Sequence, residues 1–92
     1  MMSPMLDTEE REALRIAVDI IAAKYRDADS DIASLAAPFV TGGATIQDNE
    51  HRMGLICQDL AKLAGHLLGV IGEVSPDAVD QWFKSYSEFI EP

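Results

Sequence analysis

From Met53 to Val74 apolar residues recur on one face of the chain: Met53, Ile56, Cys57, Leu60, Leu63, Ala64, Leu67, Val70, Ile71 and Val74. Steps of three and four follow the 3.6-residue turn and no period of two interrupts them, so the spacing predicts a long amphipathic helix. The stripe is wider than a two-stranded seam, and the rest of the chain is expected to cover it. Gln58, Asp59, Lys62, His66 and Glu73 occupy the other side, and charge at this frequency argues against a membrane span. Burying each apolar side chain contributes about 1.5–3 kcal/mol, against about 1–2 kcal/mol per residue for ordering the backbone. One helix therefore cannot fold alone; its partners must be other helices or a second copy.

The flanking segments supply those helices. Asp7 is placed to cap a helix from Thr8 to about Arg26, with Glu9 and Glu10 in its first turn and Glu10 at the capping-box position. Leu14, Ala17, Val18, Ile21 and Tyr25 form its expected inward stripe, broadened by Ile16 and Ile20. Ser30 or Asp29 then caps a short helix through Ile32, Leu35 and Ala36, which Pro38 weakens or ends by disfavouring helical geometry at Ala37. Gly42 and Gly43 mark a turn, after which Thr45 with Asp48, or Asp48 alone, starts the long helix between Ile46 and Glu50. That helix is expected to end near Gly72. Ser75-Pro76-Asp77 restarts the chain as a last helix, Pro76 to about Ile90, folded back antiparallel and presenting Val79, Trp82, Phe83, Tyr86, Phe89 and Ile90. The expected fold is all-α: a small bundle of three main helices and one short one, with a long central helix and an antiparallel aromatic C-terminal helix. The expected organisation is a flexible N-terminal arm over 1–7 and a single helical domain over 8–92.

Charge narrows the function. Sixteen acidic and seven basic residues leave a net charge of −9 over 92 residues, which argues against direct binding to nucleic-acid backbones. Acids scattered along all helices suit a solvated exterior; the sharper alternative is an acidic DNA mimic that inhibits a nucleic-acid-binding protein. The single cysteine, Cys57, lies on the apolar face and reads as a small core residue. With no internal disulfide possible, and with Asp7, Glu9 and Glu10 where the apolar run of a signal peptide would be needed, the expected compartment is the cytoplasm.

No stretch carries recognisable chemistry. Asp27, Asp29 and Asp31 alternate like the opening of a calcium loop, but Ile32 stands where the turn glycine is required and Pro38 where the closing glutamate is required. Gly42-Gly43 lacks the Lys and Ser or Thr of a phosphate loop. His51 and His66 lie about four turns apart on one helix and cannot share a metal. The sequence thus predicts a non-enzyme with no cofactor and no metal.

What remains is surface. Ala61, Gly65 and Gly69 form a ridge of small residues at four-residue spacing, suited to a close helix crossing within the chain or across a dimer; glycine tolerated on an exposed face is the plainer reading. Leu55 and Leu68 lie off the main stripe and point to a second contact surface. Four of the six aromatic residues fall on the last helix. They either complete a small core, or Trp82, Tyr86 and Phe89 anchor an interface. The candidate partner-binding residues are therefore Leu55, Ala61, Gly65, Leu68, Gly69, Trp82, Tyr86 and Phe89, and the expected assembly is a homodimer or a complex with another protein.

The stretch Leu63-Ala64-Gly65-His66-Leu67-Leu68-Gly69, followed by Ser75-Pro76-Asp77 and a final amphipathic helix, resembles short helical proteins of unknown function from actinobacteria and their bacteriophages. The resemblance covers about the second half of the chain. It implies a small cytoplasmic protein acting through contact with another protein, such as one of a phage host. The expected function is a non-catalytic interaction module: an adaptor, inhibitor or regulator of a larger protein.

Overall fold

The structure is a computed structural model that describes residues 7–90. Four helices follow one another: α1 (Thr8–Arg26), α2 (Ala33–Val40), α3 (Ile46–Val74) and α4 (Pro76–Ile90), with no strand among the described residues. The all-α fold and the long central helix are as the hydrophobic spacing predicts. The N-terminal arm expected over 1–7 lies outside the described residues except for Asp7. The chain groups into two compact units, Met1–Ala61 and Lys62–Pro92, with α3 contributing to both.

In the first unit the local signals at α1 act as their chemistry requires. The Glu10 amide donates to Asp7 Oδ1 at 2.7 Å and the Asp7 amide donates to Glu10 Oε1 at 3.3 Å, closing a capping box. At the other end Lys24 Nζ donates to the Ala28 carbonyl at 2.7 Å, a cation satisfying a carbonyl beyond the helix C-terminus. The buried face differs from the expected one. Ala13, Ile16, Ala17 and Ile20 are buried, Leu14 and Ile21 are half-buried, Val18 is exposed and Tyr25 is 90 % exposed. The apolar arc of α1 is wider than one neighbour can cover, and the described neighbour it packs against is α2.

The short second helix starts later and continues further than its sequence suggests. Neither Asp29 nor Ser30 occupies its N-cap position, which is Ile32 and makes no side-chain cap bond; one residue earlier, Asp31 Oδ1 accepts from the Ala33 amide at 3.1 Å and the Ser34 amide at 3.4 Å. Pro38 lies inside α2 rather than ending it. Proline removes one backbone donor, but only two further residues of helix follow, and that end is held by other donors. Thr41 Oγ1 donates to the Ala37 carbonyl at 2.7 Å, and Arg52 Nη1 to the Phe39 carbonyl at 2.8 Å.

Gly43 is required for space. A Cβ there would lie 2.5 Å from Asn49 Oδ1 and 2.7 Å from Asp48 Cβ, and the same approach lets its amide donate to Asn49 Oδ1 at 2.8 Å. Beside it the α3 N-terminus is fixed at Ile46: Thr45 Oγ1 accepts from the Asp48 amide at 3.0 Å, and Asp48 Oδ2 accepts from the Thr45 amide at 3.2 Å.

The core of this unit is Ala13, Ile16, Ile20 and Ile56, with Ile32, Ala36, Phe39, Val40, Leu55 and Leu60 packed around it. Only Ile56 of the ten-residue α3 stripe is buried. Met53, Cys57, Ala64, Leu67, Val70, Ile71 and Val74 are exposed, and Leu60 and Leu63 are half-buried. The expectation that the chain covers the whole stripe, with Cys57 inside it, is therefore corrected. Periodicity marks which face of a helix is apolar; how far other helices extend along it is set by their number and length.

In the second unit the Ser75 amide donates to the Ile71 carbonyl at 2.7 Å, closing α3 at Val74 rather than near Gly72. Ser75 Oγ accepts from the Ala78 amide at 3.4 Å, and Pro76 opens α4 where its missing N–H costs no hydrogen bond. A single residue thus joins the two helices.

Candidate functional site

The second unit is nearly all surface. Between 62 and 90 no residue is buried, and only Leu63, Leu68, Gly72, Ser75 and Val79 are half-buried. Turning at Ser75 sets α4 alongside the end of α3, with Val79 Cγ2 at 3.7 Å from the position a Cβ on Gly72 would take. Between the helices runs an open groove of about 420 Å³, lined by Ala64, Leu67, Leu68, Ile71, Ala78, Val79 and Trp82. Every one of those residues is apolar. Leu67, Ile71, Trp82, Phe83 and Tyr86 are each about half exposed, while Ile90 and Phe89 reach 71 and 83 %.

The aromatic residues are ordered by one another. The Trp82 ring meets Phe83 edge-on at 5.1 Å between centroids and Tyr86 at 4.9 Å with a tilt of 53°, geometries that the quadrupoles of aromatic rings favour. At 100° per residue Val79, Trp82, Phe83, Tyr86, Phe89 and Ile90 fall within an arc of about 120°. Asp77, Asp80, Lys84 and Glu88 all fall outside it. Of the two readings open for these rings, completion of the chain's own core is therefore not what they do here.

The other expected contact residues sit apart from this surface. Leu55 is half-buried against the core of the first unit. Ala61, Gly65 and Gly69 are exposed, and neither glycine has an atom within 4 Å of where a Cβ would be. Among the described residues no close helix crossing uses that ridge. Leu68 lines the groove, as do its neighbours Leu67 and Ile71, which sequence periodicity assigns to the core stripe instead.

A polar cluster at the start of α3 escaped the sequence reading. Arg52 Nε donates to Glu9 Oε2 at 3.1 Å, its Nη1 reaches the Phe39 carbonyl, and its guanidinium lies 4.7 Å from the centroid of the Phe39 ring. His51 Nε2 lies 3.4 Å from Glu9 Oε1 and is largely exposed. The partners are 43 and 13 residues from Arg52, so no local spacing announces them. This cluster ties α1, α2 and α3 together. All of its contacts lie within the first unit.

Among the described residues no group of three His, Cys, Asp or Glu side chains could hold a metal ion. Of the described helices α3 is long and apolar enough to cross a membrane by length and composition. No known protein family, curated protein or solved structure matches the chain.

Proposed function

We propose that this protein is a non-catalytic interaction module whose working surface is the helical pair formed by residues 62–90. One observation carries the reading: a contiguous, uncharged, apolar face with a groove along it, in a unit that buries none of its own residues. Large exposed apolar patches mark interaction sites, and aromatic side chains in such patches supply most of the binding energy. The module would act as an adaptor, inhibitor or regulator of a larger protein, such as one of a phage host, in the cytoplasm.

An acidic mimic of DNA is the competing reading, favoured by the net charge of −9. The acids are spread over α1, the 27–31 loop, α3 and α4, which suits a solvated exterior better than one mimetic face. Salt separates the two. The tagged full chain and its Trp82→Ser/Phe89→Ser variant are used to capture proteins from a bacterial extract, with washes at 0.15 M and 1 M NaCl. A partner held by the wild type at 1 M and lost by the variant supports the apolar surface. A basic DNA-binding protein released at 1 M and held equally by the variant supports the mimic, because charge attraction is screened and apolar burial is not. Capture of nothing by either chain would overturn both.

A further inference from the structure

We infer that the surface of residues 62–90 is covered by a second copy of this chain, two helical pairs packing about a two-fold axis into a four-helix assembly. The inference rests on the proposed interaction surface and names its occupant. A unit of 29 residues with none buried falls below the roughly 40 residues that a lone domain needs for its own core. Its last helix, α4, at 15 residues is near the length at which isolated helices are marginal in water. Something must cover it.

Area, charge and shape select the copy. Leu67, Ile71, Trp82, Phe83, Tyr86, Phe89 and Ile90, at their observed exposures, leave roughly 700 Å² of apolar side chain uncovered. Two copies closing on each other would bury about 1,400 Å², within the roughly 1,200–2,000 Å² of stable interfaces. The face contains no Asp, Glu, Lys, Arg or His side chain, so two strongly acidic chains can meet there without burying charge. Within 62–90 the charges are Lys62 and Lys84 against Glu73, Asp77, Asp80 and Glu88, a mild repulsion that physiological salt screens. The same surface offers both a groove and, further along α4, the projecting rings of Phe83, Tyr86 and Phe89. An interface about a two-fold axis needs that combination, since each copy must supply knob and hole from one patch. A bilayer fits less well: the 15 residues of α4 span about 22 Å, short of the roughly 30 Å hydrocarbon core, and acids outnumber bases on its polar side, while α3, though long and apolar enough to span, carries Asp59 and Lys62 near its middle.

The test is sedimentation velocity on the purified full chain from 0.1 to 100 µM, at 0.15 M and 1 M NaCl, followed in parallel by fluorescence of the single tryptophan, Trp82. The expected result is a species of about 20 kDa, twice the 10.0 kDa chain, that persists at 1 M salt and dissociates on dilution with a red shift of the Trp82 emission. Tyr86→Glu and Phe89→Glu should each weaken association at least a hundredfold, while Val18→Glu on α1 leaves it unchanged. The dilution arm needs no variant, so misfolding of a substituted chain cannot mask the answer. A 10.0 kDa species at 100 µM overturns the inference, as does a dimer indifferent to both α4 substitutions. Flotation of the wild type with neutral phosphatidylcholine vesicles would assign the surface to lipid and also overturn it. A monomer that still captures a salt-resistant partner from extract defeats the inference alone; a monomer that captures nothing defeats the proposed function with it.

Discussion

Arg52 holds the first unit together as no apolar residue does. Its guanidinium donates to Glu9 and to the Phe39 carbonyl at the C-terminal end of α2, and covers the Phe39 ring. Hydrogen bonds involving a charged group contribute about 1.5–3 kcal/mol when partly buried, and a cation over an aromatic face adds about 0.5–1 kcal/mol. Arg52→Ala is accordingly expected to lower unfolding stability by about 2 kcal/mol. Arg52→Lys should recover less than half of that, because an ammonium cannot reach Glu9 and Phe39 at once with the planar fork. Urea titration followed by far-UV circular dichroism reads both; equal stability of Ala and Lys variants would show that the stem packing alone matters. The sequence gives no warning of Arg52, since what it touches lies on α1 and α2 and only folding brings them within reach.

At the scale of elements, caps and turns were legible and coverage was not. Asp7 with Glu10, Thr45 with Asp48, and Ser75-Pro76 act through neighbours at most three residues away, so their outcome is written in the local sequence. The N-terminus of α2 shows the limit: Asp29, Ser30 and Asp31 can all accept from first-turn amides, and Asp31, next to Ile32 at the core, is the one that does. The glycine ridge of α3 yields a prediction of opposite sign to its sequence reading. A close crossing would make larger residues at 65 and 69 destabilising, whereas open space makes glycine only a helix-weakening residue. Gly65→Ala and Gly69→Ala should therefore each raise stability by about 0.5–1 kcal/mol, checked by thermal melting. A loss at either site, at a concentration where the chain is associated, would mean that a partner backbone lies on the ridge. The proposed two-fold surface does not use it: at 100° per residue Gly65 and Gly69 fall on the far side of α3 from Leu67.

For the whole molecule the uneven distribution of buried side chains has dynamic consequences. Among the described residues all the buried ones lie in the first unit, at Ala13, Ile16, Ala17, Ile20 and Ile56. Segments with few buried apolar contacts open at low free-energy cost. At 1 µM the amides of residues 76–90 should exchange with deuterium at least tenfold faster than those of residues 13–20. At 100 µM their protection should rise severalfold if a second copy covers them, while that of residues 13–20 stays constant. Mass-spectrometric hydrogen exchange at the two concentrations measures this; slow exchange of 76–90 at both would show that α4 is stable without cover.

What the sequence determined by itself is the set of elements and their faces: four helices, the N-terminal boundaries of α1 and α4 to within a residue, and an uncharged aromatic arc on α4. These follow from hydrogen bonds and side-chain spacings within a turn or two, which a linear chain displays directly. Tertiary structure decided which apolar faces are used. It rotated the buried side of α1 toward Ala13 and Ile20, carried α2 through Pro38, drew Leu55 into the core, recruited Arg52, and left the stripe of α3 uncovered around Leu67 and Ile71. Burial depends on which surfaces long-range contacts bring together and on how much surface is available to do the covering. Hydrophobic periodicity is equally strong on a helix buried in its own core and on one left open to a partner.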